Sequence, residues 1–133
     1  MGQSRPYRAK ALVVEDDPMQ REMIELLLEE SEFEVICCES AEAAELVLLS
    51  SGDSVVLMLT DVELAGNMTG VELAHVARKY KPDVDVIVTS GKPLRQCLPA
   101  GATFWAKPWA PLDVIRLAET KASALSGGGP RSA

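Results

Sequence analysis

Leu12-Val13-Val14-Glu15-Asp16-Asp17-Pro18 passes from a β-branched apolar run, through a block of carboxylates, into a helix start. The apolar run is short and continuous, which suits a strand buried on both faces of a parallel sheet. Asp17 followed by Pro18 reads as a helix entry. Aspartate is a strong N-cap because its side chain accepts from the free N–H groups of the first turn, and proline suits the first helical position. Met23, Ile24, Leu27 and Leu28 then share one face, opposite Arg21, Glu22, Glu25 and Glu29, as an amphipathic helix requires.

The alternation repeats along the chain. Apolar, partly β-branched runs fall at 9–14, 33–37, 55–60, 84–89 and 103–106. Helical spacing fills 41–49 (Ala44, Leu48), 71–80 (Leu73, Val76, Ala77, Tyr80, ending before Pro82) and 111–125 (Leu112, Ile115, Leu117, Ala118). Strands alternating with helices predict an α/β fold whose parallel sheet is covered on both faces. Val55-Val56-Leu57-Met58-Leu59 suits a second central strand. The stretch 91–101 contains Pro93 and Pro99, which limits any fourth helix there to a turn or two. The expected domain spans 9–125. Residues 1–8, with Arg5 and Arg8, read as a flexible leader, and 126–133 as a disordered Gly/Pro/Ser tail.

Composition agrees with one globular domain. The 133 residues are 47% hydrophobic and 25% charged, ordinary for a packed protein. Thirteen Lys+Arg against 20 Asp+Glu give −7, which disfavours a nucleic-acid surface. Three cysteines (Cys37 and Cys38 adjacent, Cys97 apart, with no CxxC) argue against a disulfide scaffold and a structural zinc site. No signal-peptide core is present and no apolar run approaches the ~18 residues of a membrane span. A soluble cytoplasmic protein is expected.

Ligands of open α/β sheets bind in the crevice outside the carboxyl ends of the strands. Here those ends carry Glu15-Asp16-Asp17, Thr60-Asp61, Thr89-Ser90-Gly91 and Lys107-Pro108. The second strand brings Cys37-Cys38-Glu39, which reads as a strand end rather than a redox pair. Glu15, Asp16, Asp61 and Lys107 together leave a charge of −2. Crowded carboxylates raise one another's pKa unless a cation joins them. A hard divalent ion cancels the charge, and Mg²⁺ fits best because it takes one or two carboxylates, waters and phosphate oxygens. A metal beside a carboxylate, with a lysine and a threonine hydroxyl opposite, is a phosphoryl-transfer arrangement.

Four motifs in order then resemble the receiver domain of two-component response regulators: Val13-Val14-Glu15-Asp16-Asp17-Pro18, Leu59-Thr60-Asp61-Val62 with Gly66 and Gly70, Val88-Thr89-Ser90, and Phe104-Trp105-Ala106-Lys107-Pro108-Trp109. The resemblance runs over about 9–125. It implies a doubly wound five-stranded parallel sheet of order 2-1-3-4-5. It further implies that Asp61 accepts a phosphoryl group from a phosphohistidine on a sensor kinase or histidine phosphotransfer protein. By the same resemblance Asp16, Asp61 and the backbone carbonyl of Glu63 hold Mg²⁺, and Glu15 acts through a water. Thr89 contacts the phosphoryl group, Lys107 pairs with its oxygens, Phe104 is the aromatic switch, and a cis peptide precedes Pro108. Four features depart from the family's pattern: Glu15 where aspartate is commoner, Ala65 where proline is usual, a switch aromatic without a hydroxyl, and a short stretch from Thr89 to Lys107.

The expected function is a phosphorylation-dependent signalling switch that catalyses only its own phosphotransfer and dephosphorylation and is not otherwise an enzyme. Only eight residues follow Leu125, so output is expected through contact with a downstream protein, or from a longer regulator of which this is a fragment. No nucleic-acid or membrane partner is expected, and the state is a monomer or weak dimer. A phosphohydrolase of the haloacid dehalogenase type would also use an aspartate, Mg²⁺ and a lysine. It wants a second aspartate two residues after the nucleophile, where this chain has Glu63, and it usually carries a cap insertion. A third reading, a module that binds without phosphorylation, has no residue in its favour. His75 and the Glu63 side chain read as solvated, and Trp105 and Trp109 as packing or a contact surface.

Overall fold

The computed structural model describes residues 9–50 and 54–125; the leader and tail expectations concern residues outside these. Five strands and four helices follow one another as β1 (Lys10–Val14), α1 (Pro18–Glu30), β2 (Glu34–Cys38), α2 (Ala41–Ser50), β3 (Val55–Asp61), α3 (Gly70–Tyr80), β4 (Asp85–Ser90), β5 (Thr103–Ala106) and α4 (Pro111–Leu125). The sheet is parallel throughout, in the order β2-β1-β3-β4-β5. This is the expected doubly wound arrangement.

Side chains alternate across a strand, so each strand feeds two cores. Leu12, Val14, Met58, Val86 and Val88 pack beneath α2 and α3, against Ala44, Leu48, Leu73 and Ala77. Ala11, Val13, Leu57, Leu59 and Ile87 pack beneath α1 and α4, against Ile24, Leu28, Val114 and Ala118. β1 and β3 are central and apolar on both faces, which explains their unbroken hydrophobic runs.

The helix entries carry their own chemistry. The Asp17 carboxylate accepts from the N–H groups of Met19 (2.9 Å) and Gln20 (3.3 Å). At α3, Thr69 and Glu72 form a reciprocal capping box. Phe33, expected in β2, lies just ahead of it and is buried at 2% exposure.

The shortened or irregular fourth helix expected between β4 and β5 takes the irregular form: residues 91–102 run without helix, as bends, turns and extended connections. Leu94, Leu98 and Ala102 of this segment lie against the α2–α3 core, covering it without a helix. Side chains of α3 secure the segment. Arg78 donates from Nε to the Ala100 carbonyl (3.1 Å) and from Nη1 to those of Pro82 (2.6 Å) and Val84 (3.0 Å). His75 Nε2 lies 2.8 Å from the Cys97 carbonyl. His75 is exposed, as expected, yet it anchors this segment. Two prolines forbid a continuous helical ladder, and the guanidinium gives one of the segment's carbonyls, that of Ala100, a donor while tying it to the connection between α3 and β4.

Candidate functional site

Strand alternation brings the site together. Asp61 pairs with Thr89 across β3 and β4, and Thr89 with Trp105 across β4 and β5. Two residues beyond Leu59 and Val13 on their strands, Asp61 and Glu15 continue the face covered by α1 and α4. Glu15, Asp61 and Thr89 are buried at 3%, 8% and 2% exposure, whereas Asp16 is exposed.

Glu15, Asp16 and Asp61 each offer a carboxylate oxygen within 4.8 Å of the others. The Lys107 ammonium lies 3.4 Å from Asp61 Oδ2 and 3.7 Å from Glu15 Oε1, and donates to Gln20 Oε1 at 3.1 Å. Three carboxylates against one ammonium leave the rim two negative charges. Burial pushes the Asp61 carboxyl above its ordinary range; the charge and hydrogen bond of Lys107 and the Val62 N–H oppose this, and Asp16 adds to it. Burial likewise raises Glu15, opposed chiefly by the Asp17 N–H, which donates to Glu15 Oε2 at 3.1 Å. An all-oxygen donor set with uncompensated negative charge fits a hard divalent cation such as Mg²⁺.

The surrounding backbone is close-packed. Thr60 Oγ1 turns to the other side and donates to the Asp61 carbonyl at 2.9 Å. The Gly70 N–H donates to the Val62 carbonyl at 2.8 Å. A Cβ on Gly70 would stand 1.9 Å from the Asp61 carbonyl oxygen, so only glycine lets α3 start this near the end of β3. Gly66 has φ +100° and lies over the Glu42 carboxylate, which accepts from the Asn67 N–H at 2.8 Å. The Lys107–Pro108 peptide is cis, as the resemblance implied.

Of the expected site residues, Glu15, Asp16, Asp61, Thr89 and Lys107 converge at this rim. Glu63 follows on the β3–α3 loop, and its carboxylate, expected to be solvated, pairs with Lys92 at 3.1 Å. Phe104 pairs with Val88, not Thr89, and so shares the α2–α3 face of the sheet with Val88. The aromatic that reaches Thr89 is Trp109, whose Nε1–H donates to Thr89 Oγ1 at 3.1 Å. Sequence gives Gln20 and Lys92 no role at this site and reads Trp109 only as packing or a contact surface. A donor-only indole two residues after Lys107 was the one available signal. Cys38 is buried and Cys37 half-buried; burial and neighbouring Glu25 push the Cys37 thiol up to about 11, which suits an inert strand end.

The family model of the response regulator receiver domain matches residues 11–118. Among curated proteins, the two-component response regulator ORR5 of Oryza sativa subsp. japonica is 32% identical over 123 residues, covering 87% of this chain and 90% of that protein. The hydrogenase transcriptional regulatory protein HoxA of Cupriavidus necator is 33% identical over 129 residues, covering 90% of this chain and 26% of the relative. The transcriptional regulatory protein AruR of Pseudomonas aeruginosa is 35% identical over 86 residues, covering 62% of this chain. The chain thus spans about a third or less of several relatives: 34% of AruR, 26% of HoxA and 30% of a Thermotoga maritima cyclic di-GMP phosphodiesterase. Among solved structures, a CheY-like response regulator receiver domain protein from Methanospirillum hungatei superposes with TM-score 0.77 at 25% identity, covering 92% of this chain and 99% of that one.

Proposed function

The chain belongs to the response regulator receiver domain family, and from that premise we propose that it is a phosphorylation-dependent switch in a two-component phosphorelay, with Asp61 as the acceptor. The observation that carries the reading is the placement of a buried Asp61 between the Lys107 ammonium (3.4 Å) and the acidic pair Glu15 and Asp16. An Asp61 carboxylate oxygen attacks the phosphorus of a phosphohistidine on a kinase or phosphotransfer protein. The P–N bond breaks as the P–O bond forms, and the imidazole leaves with the electron pair. Lys107 lies where it neutralises charge on the phosphoryl oxygens, and the Thr89 hydroxyl, one strand away, offers them a proton.

Asp16, Asp61 and the Glu63 carbonyl would hold Mg²⁺, with Glu15 acting through water. Bound there, the ion supplies electrostatic neutralisation of the rim and of the phosphoryl oxygens. Lys107 keeps the Asp61 carboxylate oriented, and burial keeps bulk water from it. Phosphorylation adds about one negative charge at the rim, and the residues that feel it first are Thr89 and Lys107. The response passes to a downstream protein by contact, and Phe104 contributes from the opposite face as the aromatic switch.

The test is labelling. Acetyl phosphate with Mg²⁺ should add the mass of one phosphoryl group to the wild type and none to Asp61→Asn. An equally labelled variant overturns the assignment.

A further inference from the structure

Thr89 is held by a tryptophan. Its Oγ1 accepts from the Trp109 indole at 3.1 Å, and the same indole leans on Trp105 with centroids 6.2 Å apart and planes at 57°. Trp105 in turn is the β5 partner of Thr89. The three residues close a triangle on the face of the sheet that carries Asp61. Trp109 belongs to the link between β5 and α4, where Phe104, Trp105, Pro108 and Leu117 line an open groove of about 590 Å³. One side of the triangle therefore meets the acceptor, and the other meets the surface.

A threonine hydroxyl has one proton and two lone pairs, and an indole N–H only donates. With Trp109 donating to it, the hydroxyl need not turn its proton toward the indole, and that proton stays available to an oxygen on the Asp61 side. If Thr89 is drawn toward an occupied acceptor, the indole must follow or leave its half-buried N–H without a partner. Movement of Trp109 shifts its contact with Trp105 and reshapes the groove.

We propose that Trp109 is a positioning residue that orients the Thr89 hydroxyl toward the acceptor and carries acceptor occupancy to the β5–α4 groove. The inference rests on the phosphoacceptor reading of Asp61. It differs from the Phe104 switch in its path, which leaves Thr89 through Trp109 and Trp105, although Phe104 also borders the groove.

The experiment uses the full chain, isotopically labelled, titrated with beryllofluoride in saturating Mg²⁺. Fluorine NMR reads occupancy of the acceptor, and the indole N–H resonances of the two tryptophans, assigned with Trp105→Phe, read the tether. Occupancy should shift the Trp109 resonance. Thr89→Val should move that resonance before any titration and abolish the shift, while Thr89→Ser should preserve it. Trp109→Phe should weaken beryllofluoride binding about fivefold, the scale of one lost hydrogen bond, with Mg²⁺ affinity unchanged because the carboxylates set it. Bound fluoride with an unmoved Trp109 resonance, or a Thr89→Val spectrum like the wild type, overturns the tether and leaves the acceptor reading standing. No bound fluoride in the wild type overturns that reading and the tether with it.

Discussion

The Lys92 ammonium lies 3.1 Å from the Glu63 carboxylate, joining the loop after β4 to the loop that follows Asp61 at the end of β3. Both side chains are largely exposed, 72% and 56%. Such a pair contributes under ~1 kcal/mol to stability, yet it ties together the two loops that follow Asp61 and Ser90, the ends of β3 and β4. Lys92→Ala should leave the melting temperature within about 2 °C. It should speed loss of the phosphoryl group severalfold by admitting water, as read by phosphate release after removal of the donor. An unchanged or longer lifetime would count against any shielding by this pair.

Asp16→Asn should weaken Mg²⁺ binding by tenfold or more, since it removes a charged ligand from the cluster formed with Glu15 and Asp61. Glu15→Gln should weaken it less, because its action is expected through water and its Oε2 already accepts from the Asp17 N–H. Titration followed by tryptophan fluorescence orders the two, and equal affinities in Asp16→Asn and wild type would refute the assignment.

Glu15 and Asp61 have carboxyl pKa values raised above 4.5 and 3.8 by burial. The folded state therefore holds protons that the unfolded chain has already released. Without metal, their contribution to stability falls as pH rises through the raised values, and the penalty is fully present above them. Asp61→Asn escapes its share, so its melting temperature in EDTA should exceed that of the wild type at neutral pH. That advantage should shrink on acidification and vanish in Mg²⁺. An advantage that grows as pH falls would contradict the sign.

Gly70→Ala brings a methyl group to within 1.9 Å of the Asp61 carbonyl oxygen, and both partners there are backbone. We expect destabilisation of about 1–3 kcal/mol, together with reduced beryllofluoride binding, because relief requires α3 or the end of β3 to move. Thermal melting and fluorine NMR read the two effects. Normal binding in a variant of wild-type stability would show that the helix start can retreat freely.

Arg78→Ala removes the donor shared by the carbonyls of Ala100, Pro82 and Val84. Hydrogen exchange across residues 91–102 should quicken by about tenfold, with β1 and β3 unaffected. Uniformly faster exchange would mean that Arg78 supports the whole fold and not this segment.

Local chemistry determined much of this molecule. The unbroken apolar runs of β1 and β3, the Asp17-Pro18 helix entry and the acid, threonine and lysine strand ends each owe their meaning to neighbours in the chain, so alternation and spacing disclosed both the α/β layering and the rim. The tertiary structure decided what depends on distant partners. Pro93 and Pro99 restricted a helix without saying what would replace it; the replacement relies on Arg78 and His75, which lie on α3 some twenty residues earlier. Glu63 found Lys92 only because β3 and β4 are neighbours. Motif position pointed to Phe104, whereas Trp109 reaches Thr89, because strand parity puts Phe104 on the opposite face and the chain after β5 turns back over the face that Thr89 shares with Asp61. A side chain's face follows from period two, but which distant side chain returns to meet it is fixed only when the sheet and helices pack.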